Sequence, residues 1–194
     1  MEHAFSILDA RLPHCHLFIV SEPGCPVRHH ADRLRAHMAG VWTVPSLALA
    51  GAMAAPLGEQ AIALVSADMF ADPDHALPLL AGFRAANPAL RMVVASQRFD
   101  RHGFDGGCSH ADALLRLPAG PVGVTLALGA AMTNHARALV EDRAAQAAVA
   151  AQGKAEAACA PDARRRLRGG RATIEPRLQL SCRCLKTGRA VGVS

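Results

Sequence analysis

Five short, mostly apolar segments alternate with stretches of helical character, and this alternation constrains the fold more than any other feature of the sequence. The segments are residues 17–20, 41–44, 61–65, 91–96 and 113–117. Short apolar runs of this kind are typical of strands buried on both faces of a sheet. Helices between consecutive strands supply the crossovers that parallel pairing needs. The sequence therefore predicts an α/β fold: a five-stranded, doubly wound parallel sheet.

Turn and capping residues between the apolar segments predict where the helices lie. A helix over residues 26–40 opens with a proline, which the first turn tolerates. Ser46 is placed to cap an Ala/Leu-rich helix that ends near residue 55. Another helix is expected from about residue 74, and the longest one from near Pro121 to beyond residue 143. Residues 97–110 contain three glycines and support at most a short or frayed helix.

Charge divides the chain into a mildly acidic body and a strongly basic tail. Residues 1–142 hold ten Arg and no Lys against thirteen Asp or Glu, a net charge of −3. Residues 143–194 hold nine Arg and two Lys against three acidic residues, a net charge of +8. This asymmetry indicates a boundary. We expect a domain over residues 15–143, an Ala-rich helical extension or linker over 144–160, and a basic, disordered tail over 161–194 without a recognisable module.

The same residue usage indicates a cytoplasmic protein. No apolar run approaches the roughly 18 residues that a membrane span needs. Glu2 stands where a secretory signal carries positive charge, and no apolar signal core follows it. The six cysteines have no repeating interval, which favours reduced thiols over a disulfide framework. We expect no membrane partner.

Polar residues follow several of the predicted strands, and ligands of open α/β sheets gather at the carboxyl ends of the strands. In order and spacing, these residues make the region 15–143 resemble the CheY-like receiver domains of two-component response regulators. A receiver has an acidic pair after strand one, a phosphoacceptor Asp ending strand three, a Ser or Thr ending strand four and a Lys-Pro after strand five. The corresponding positions here hold Ser21-Glu22, Ser66, Ser96 and Leu117-Pro118. The resemblance implies the strand order 2-1-3-4-5.

The resemblance also implies a degenerate pseudo-receiver. Phosphoryl transfer needs a nucleophilic carboxylate, a divalent cation and a positive group against the phosphate. Ser66 lacks the carboxylate, Ser21 removes one metal ligand, and Leu117 removes the cation in a region that has no lysine at all. We predict a pocket held by hydrogen bonds among Ser21, Ser66 and Ser96, with Asp68 solvated nearby.

Two alternatives stay open at this pocket. Asp68 could accept phosphate if strand three runs two residues longer than the apolar run indicates. Glu22 and Asp68 could also hold a weakly bound Mg²⁺, because carboxylates and water satisfy a hard cation. No other cofactor or metal is predicted, since the run His14-Cys15-His16 has no second ligand pair at a matching interval.

The leading functional hypothesis is a signalling protein, not an enzyme, that contacts a protein partner or a second copy of itself without phosphotransfer. The alternative is a DNA-associated transcriptional regulator that uses the basic tail. Its candidate contacts to nucleic-acid phosphates are Arg164, Arg165, Arg166, Arg168 and Arg171. The tail shows no helix-turn-helix pattern.

Overall fold

A five-stranded sheet forms the centre of the computed structural model, which describes residues 12–106, 108 and 110–166, with the backbone alone for 73, 74 and 153–166. Every neighbouring pair of strands is parallel, in the order β2-β1-β3-β4-β5. Strands β1 to β5 span His16–Val20, Gly40–Val44, Ala61–Ser66, Arg91–Ser96 and Ala113–Arg116. The predicted fold class and strand order are confirmed, and each strand end lies within one residue of its predicted position.

Among the described residues, four α-helices connect or follow the strands. Helices α1 to α4 span Ala31–Arg35, Leu47–Ala54, Pro73–Ala86 and Pro121–Arg166. Helix α2 begins where the sequence predicts, because the Ser46 hydroxyl accepts a hydrogen bond from the Leu49 N–H. The predicted helix over residues 26–40 is instead a 3-10 helix, Pro26–His30, followed by the short α1. Within the described part of residues 97–110, the chain forms no helix.

The two faces of the sheet bury separate hydrophobic clusters. Alternate strand residues such as Leu17 and Ile62 pack with residues of α1 and α4 on one face. Their neighbours Phe18 and Ala63 pack with α2 and α3 on the other face. This alternation follows from the period-two geometry of a strand. Because most of both faces is covered by these clusters, the buried polar side chains lie mainly at the two ends of the strands.

The connection from β4 to β5 is irregular, and it is held by backbone hydrogen bonds. Gly103 and Leu114 exchange two of them, with N···O distances of 2.9 and 2.7 Å. Among the described residues, no helix covers the face of β5 beside this connection, and Leu114 is only half-buried there. The second face of the sheet is therefore less fully covered at β5 than at β1 and β3.

The chain divides between Gln146 and Ala147 into two compact units. In the second unit the described residues, 147–166, continue α4. This helix therefore includes the predicted extension over residues 144–160 and the first six residues of the predicted tail. Arg164, Arg165 and Arg166 form its end, and Arg168 and Arg171 lie outside the described residues. Across the described part of the chain, no helix combines the length and the apolar character needed to cross a bilayer.

Candidate functional site

Three serines lie side by side at the carboxyl end of the sheet. Ser21 follows β1, and Ser66 and Ser96 end β3 and β4, which are consecutive neighbours in the sheet. Their relative exposures are 0, 1 and 2%. A buried hydroxyl without a partner is costly, so the partner of each one defines the site. The structure gives each serine a different partner, whereas the sequence predicted hydrogen bonds among the three.

Arg28 brings a positive charge to Ser21. Its Nε donates to Ser21 Oγ at 3.0 Å, and its Nη2 donates to the Ser21 carbonyl oxygen at 2.5 Å. Arg28 lies on the 3-10 helix that follows β1, seven residues after the serine it contacts. Sequence analysis missed this residue because it sought the cation only after β5. Leu117, at that position, is buried in the hydrophobic cluster on the α4 side.

Ser66, at the position of the family's phosphoacceptor, is contacted by a thiol. Cys25 Sγ donates to Ser66 Oγ over 3.4 Å. A thiol is a weak hydrogen-bond donor and does not take up a serine proton as a general base would. The contact therefore satisfies the buried hydroxyl without activating it as a nucleophile.

Asp68 is tied to the end of β4 and is not simply solvated. Ser96 Oγ donates to Asp68 Oδ1 at 2.6 Å, and the Gln97 N–H donates to Oδ2 at 2.8 Å. Ser96 Oγ also accepts the Arg98 N–H at 3.0 Å. The 3-10 turn Ala67–Met69 after β3 directs the carboxylate toward β4. Both carboxylate oxygens of Asp68 are thus engaged by donors of the neighbouring strand.

The hydrogen bonds of Asp68 make it a weaker nucleophile. A phosphoacceptor must direct a carboxylate oxygen at phosphorus beside a bound cation, and each oxygen of Asp68 accepts a hydrogen bond that draws on its lone pairs. Glu22, the other acid of the predicted pocket, is exposed. Over the described residues, His, Cys, Asp and Glu side chains form no group of three or more that could hold a metal. The Glu22–Asp68 magnesium site stays a prediction.

A second polar network lies at the opposite, amino end of β4 and β5. Asp112, which is 4% exposed, accepts two hydrogen bonds from Arg84 of α3, at 2.6 and 2.7 Å. The Met92 N–H donates to the same carboxylate at 2.7 Å. From α4, His135 Nδ1 lies 3.1 Å from Arg84 Nη2 and 3.5 Å from Asp112 Oδ1. One carboxylate therefore joins α3, α4 and the starts of two strands.

Opposing effects set the pKa of Asp112. Burial alone would raise this pKa, but the contacts from His135, Arg84 and the Met92 N–H, together with the charge of Arg84, outweigh it. The pKa is therefore held below its ordinary value of 3.8. We regard the Arg84 pair as the main partner of the carboxylate, because its two short distances suit a bidentate hydrogen bond and 3.5 Å to His135 is at the outer limit.

The amino-end network holds the fold together, and the carboxyl-end cluster occupies the place where α/β sheets of this order bind ligands. The comparisons with known proteins give no family for this site, because the chain matches no protein-family model and no curated protein.

Proposed function

We propose that this protein is a receiver-like signalling module of a bacterial-type, cytoplasmic system that works by protein–protein contact without phosphotransfer. The observation that carries this proposal is the pairing of Asp68, whose two carboxylate oxygens accept hydrogen bonds from the Ser96 hydroxyl and the Gln97 N–H. The strand order β2-β1-β3-β4-β5 supports it, since receivers share this order.

The nucleophile and the cation that phosphotransfer requires are either missing or already hydrogen-bonded to other groups. The hydroxyl of Ser66 meets a thiol and not a general base. The guanidinium of Arg28 is held on Ser21 by two hydrogen bonds, one of them to a backbone carbonyl. Releasing either group costs the hydrogen bonds of a buried serine. A module built this way presents a fixed surface to its partner, either another protein or a second copy of this chain.

Intact-protein mass spectrometry tests the proposal. The full chain is incubated with acetyl phosphate and Mg²⁺, with Asp68→Asn treated in parallel as the matched control. We expect the same mass before and after incubation for both proteins. A phosphoryl adduct on the unaltered chain that is lost in Asp68→Asn would refute the proposal and establish Asp68 as a phosphoacceptor.

A second candidate function is DNA association through the basic tail, and the net charge of +8 over residues 143–194 favours it. The test is fluorescence anisotropy of a labelled duplex with the full chain and with a chain that ends at residue 160, at several salt concentrations. DNA association predicts binding that weakens steeply as salt rises and disappears with the tail. Equal, salt-insensitive signals from both chains would exclude this function.

A further inference from the structure

An apolar groove opens on the second face of the sheet, directly beside the Asp68–Ser96 contact. It encloses about 360 Å³ and is lined by α3, β4, the start of β5 and the connection between these strands. Small-molecule sites commonly have volumes of about 300–1,000 Å³ and mostly apolar walls. The apolar wall consists chiefly of Leu77, Leu80, Val94, Phe99 and Leu114.

The groove is open because the described part of the connection from β4 to β5 forms no helix over the sheet. Leu77, on α3, is 53% exposed at the groove although it lies one turn before the buried Leu80. Covering exposed apolar surface of this kind with a ligand would favour binding by about 25 cal/mol for each Å² removed from water. The side chains at the groove are therefore placed to gain free energy when a ligand with an apolar body enters.

The polar end of the groove indicates the charge of that ligand. Asp68 and Ser96 line this end. The partners of the Asp68 carboxylate are neutral donors that supply no counter-charge, so the acidic group of a ligand has to bind away from Asp68. Arg98 also lines the groove and is exposed, and its hydrogen bond to Ser96 uses only its backbone N–H. Its guanidinium is the lining group best suited to bind a carboxylate or a sulfonate.

We propose that this groove binds a small amphipathic anion, with an aromatic or branched apolar body and one acidic group that pairs with Arg98. The footprint is too short for a docked helix. Of the α3 residues whose side chains the structure describes, Ala76, Leu77 and Leu80 line the groove, and they span little more than one turn. A helix bound in a groove uses anchors spread over at least two turns.

A larger concavity, of about 630 Å³, lies between residues 101–106 and the start of β5. Asp112 lines it, but this carboxylate is already bound by Arg84 and by the Met92 N–H. Arg101 also lines it and is exposed, but polar residues such as His102 and Asp105 form much of its wall. The more apolar groove beside Asp68 therefore suits a ligand with an apolar body better.

The test uses the full chain and the fluorescent anion 8-anilinonaphthalene-1-sulfonate, whose emission rises in an apolar site. Leu77→Gln is compared with Leu79→Gln, because both leucines lie on α3 with exposures of 53 and 51% and only Leu77 lines the groove. We expect saturable binding with one site per chain. Leu77→Gln should weaken it about tenfold, and Leu79→Gln should leave it unchanged.

A second comparison tests the charge. Arg98→Gln should weaken binding of the anion several-fold but leave binding of the neutral probe N-phenyl-1-naphthylamine unchanged. Arg101→Gln, an exposed arginine outside this groove, should change neither. Circular dichroism confirms the fold of each variant, and Leu77→Ala replaces Leu77→Gln if the latter does not fold.

Three results would overturn the proposal. The first is an absence of saturable binding to the unaltered chain. The second is an equal effect of the two leucine substitutions on the anion, which would place the probe elsewhere. The third is a shift to a smaller sedimentation coefficient in Leu77→Gln alone, because Leu77 would then be covered by a second copy of the chain and not by a small anion. None of these results depends on whether Asp68 accepts phosphate, so this test and that of the proposed function fail separately.

Discussion

Removing Arg84 should destabilise the fold strongly, because it leaves the carboxylate of Asp112 buried without its main counter-ion. Arg84→Met keeps most of the length of the side chain and removes the charge. Asp112 is 4% exposed and receives both of its Arg84 hydrogen bonds at 2.7 Å or less. Breaking a buried pair on one side costs about 3–5 kcal/mol. That is a large part of the roughly 5–15 kcal/mol by which a domain is stable.

The pH dependence gives this prediction a distinct signature. The pKa of Asp112 is lowered in the folded protein, so its ionised form stabilises the fold above the unfolded pKa, near 3.8, and this stabilisation is lost as pH falls through the folded pKa. In Arg84→Met, the pKa of Asp112 in the folded protein rises, because fewer contacts oppose the effect of burial on this carboxylate. Protonation then relieves the buried charge, so the difference between the variant and the unaltered chain should shrink as the solution becomes acidic.

Urea denaturation, followed by circular dichroism and by Trp42 fluorescence, measures the free energy of unfolding at neutral and at acidic pH. Trp42 stacks on His16 and Phe18 beside the sheet, so its emission reports the packing there. Arg35→Met is the control, since the pair of Arg35 with Asp32 is exposed and should contribute no more than about 1 kcal/mol. If Arg84→Met costs as little as Arg35→Met, or if its cost does not change with pH, the reasoning is refuted.

Three further substitutions test local contacts by the same measurement. Ser46→Ala removes the cap of α2 and should cost about 1 kcal/mol, most of which Ser46→Thr should retain. Gly106→Ala should cost at least about 1–2 kcal/mol, because the φ of Gly106 is 75° and a Cβ there would lie 2.8 Å from Asn134 Cγ. Gly120→Ala, in open space, should cost far less. Ser96→Ala should cost about 1–3 kcal/mol and speed amide exchange at the end of β4, since it removes a donor to a neighbouring carboxylate.

The sheet could be predicted from the sequence because its signals are local. Each strand is a run of four to six residues whose apolar character does not depend on distant neighbours. The cap at Ser46 is local as well, with its partner N–H three residues away. The prediction of one helix over residues 26–40 was wrong, although its signals are local as well. Its apolar positions are buried as expected, for example Val27 and Leu34, but a 3-10 turn and a short helix place them there equally well.

The partners at the site could not be predicted, because they depend on distances between segments far apart in sequence. Asp68 and Ser96 are 28 residues apart, and Cys25 and Ser66 are 41 apart. Asp68 reaches β4 only because a 3-10 turn follows β3, and the apolar pattern carries no signal for such a turn. Arg28 was the one partner within reach of sequence reasoning, since it lies seven residues after Ser21 on the helix that follows the same strand.

The two polar networks and the groove have a common structural origin in the connection between β4 and β5. At one end this connection is tied through Gln97 and Ser96 to Asp68, and at the other end Asp112 is fixed by Arg84. Hydrogen bonds at both ends fix this segment against the sheet. Its described residues form no helix, so part of the apolar surface beside β4 and β5 stays open, and this opening is the groove beside Asp68. A ligand in that groove, with its acidic group on Arg98, would lie beside Asp68 and Ser96, at the strand ends where the proposed function places the degenerate phosphoacceptor pocket.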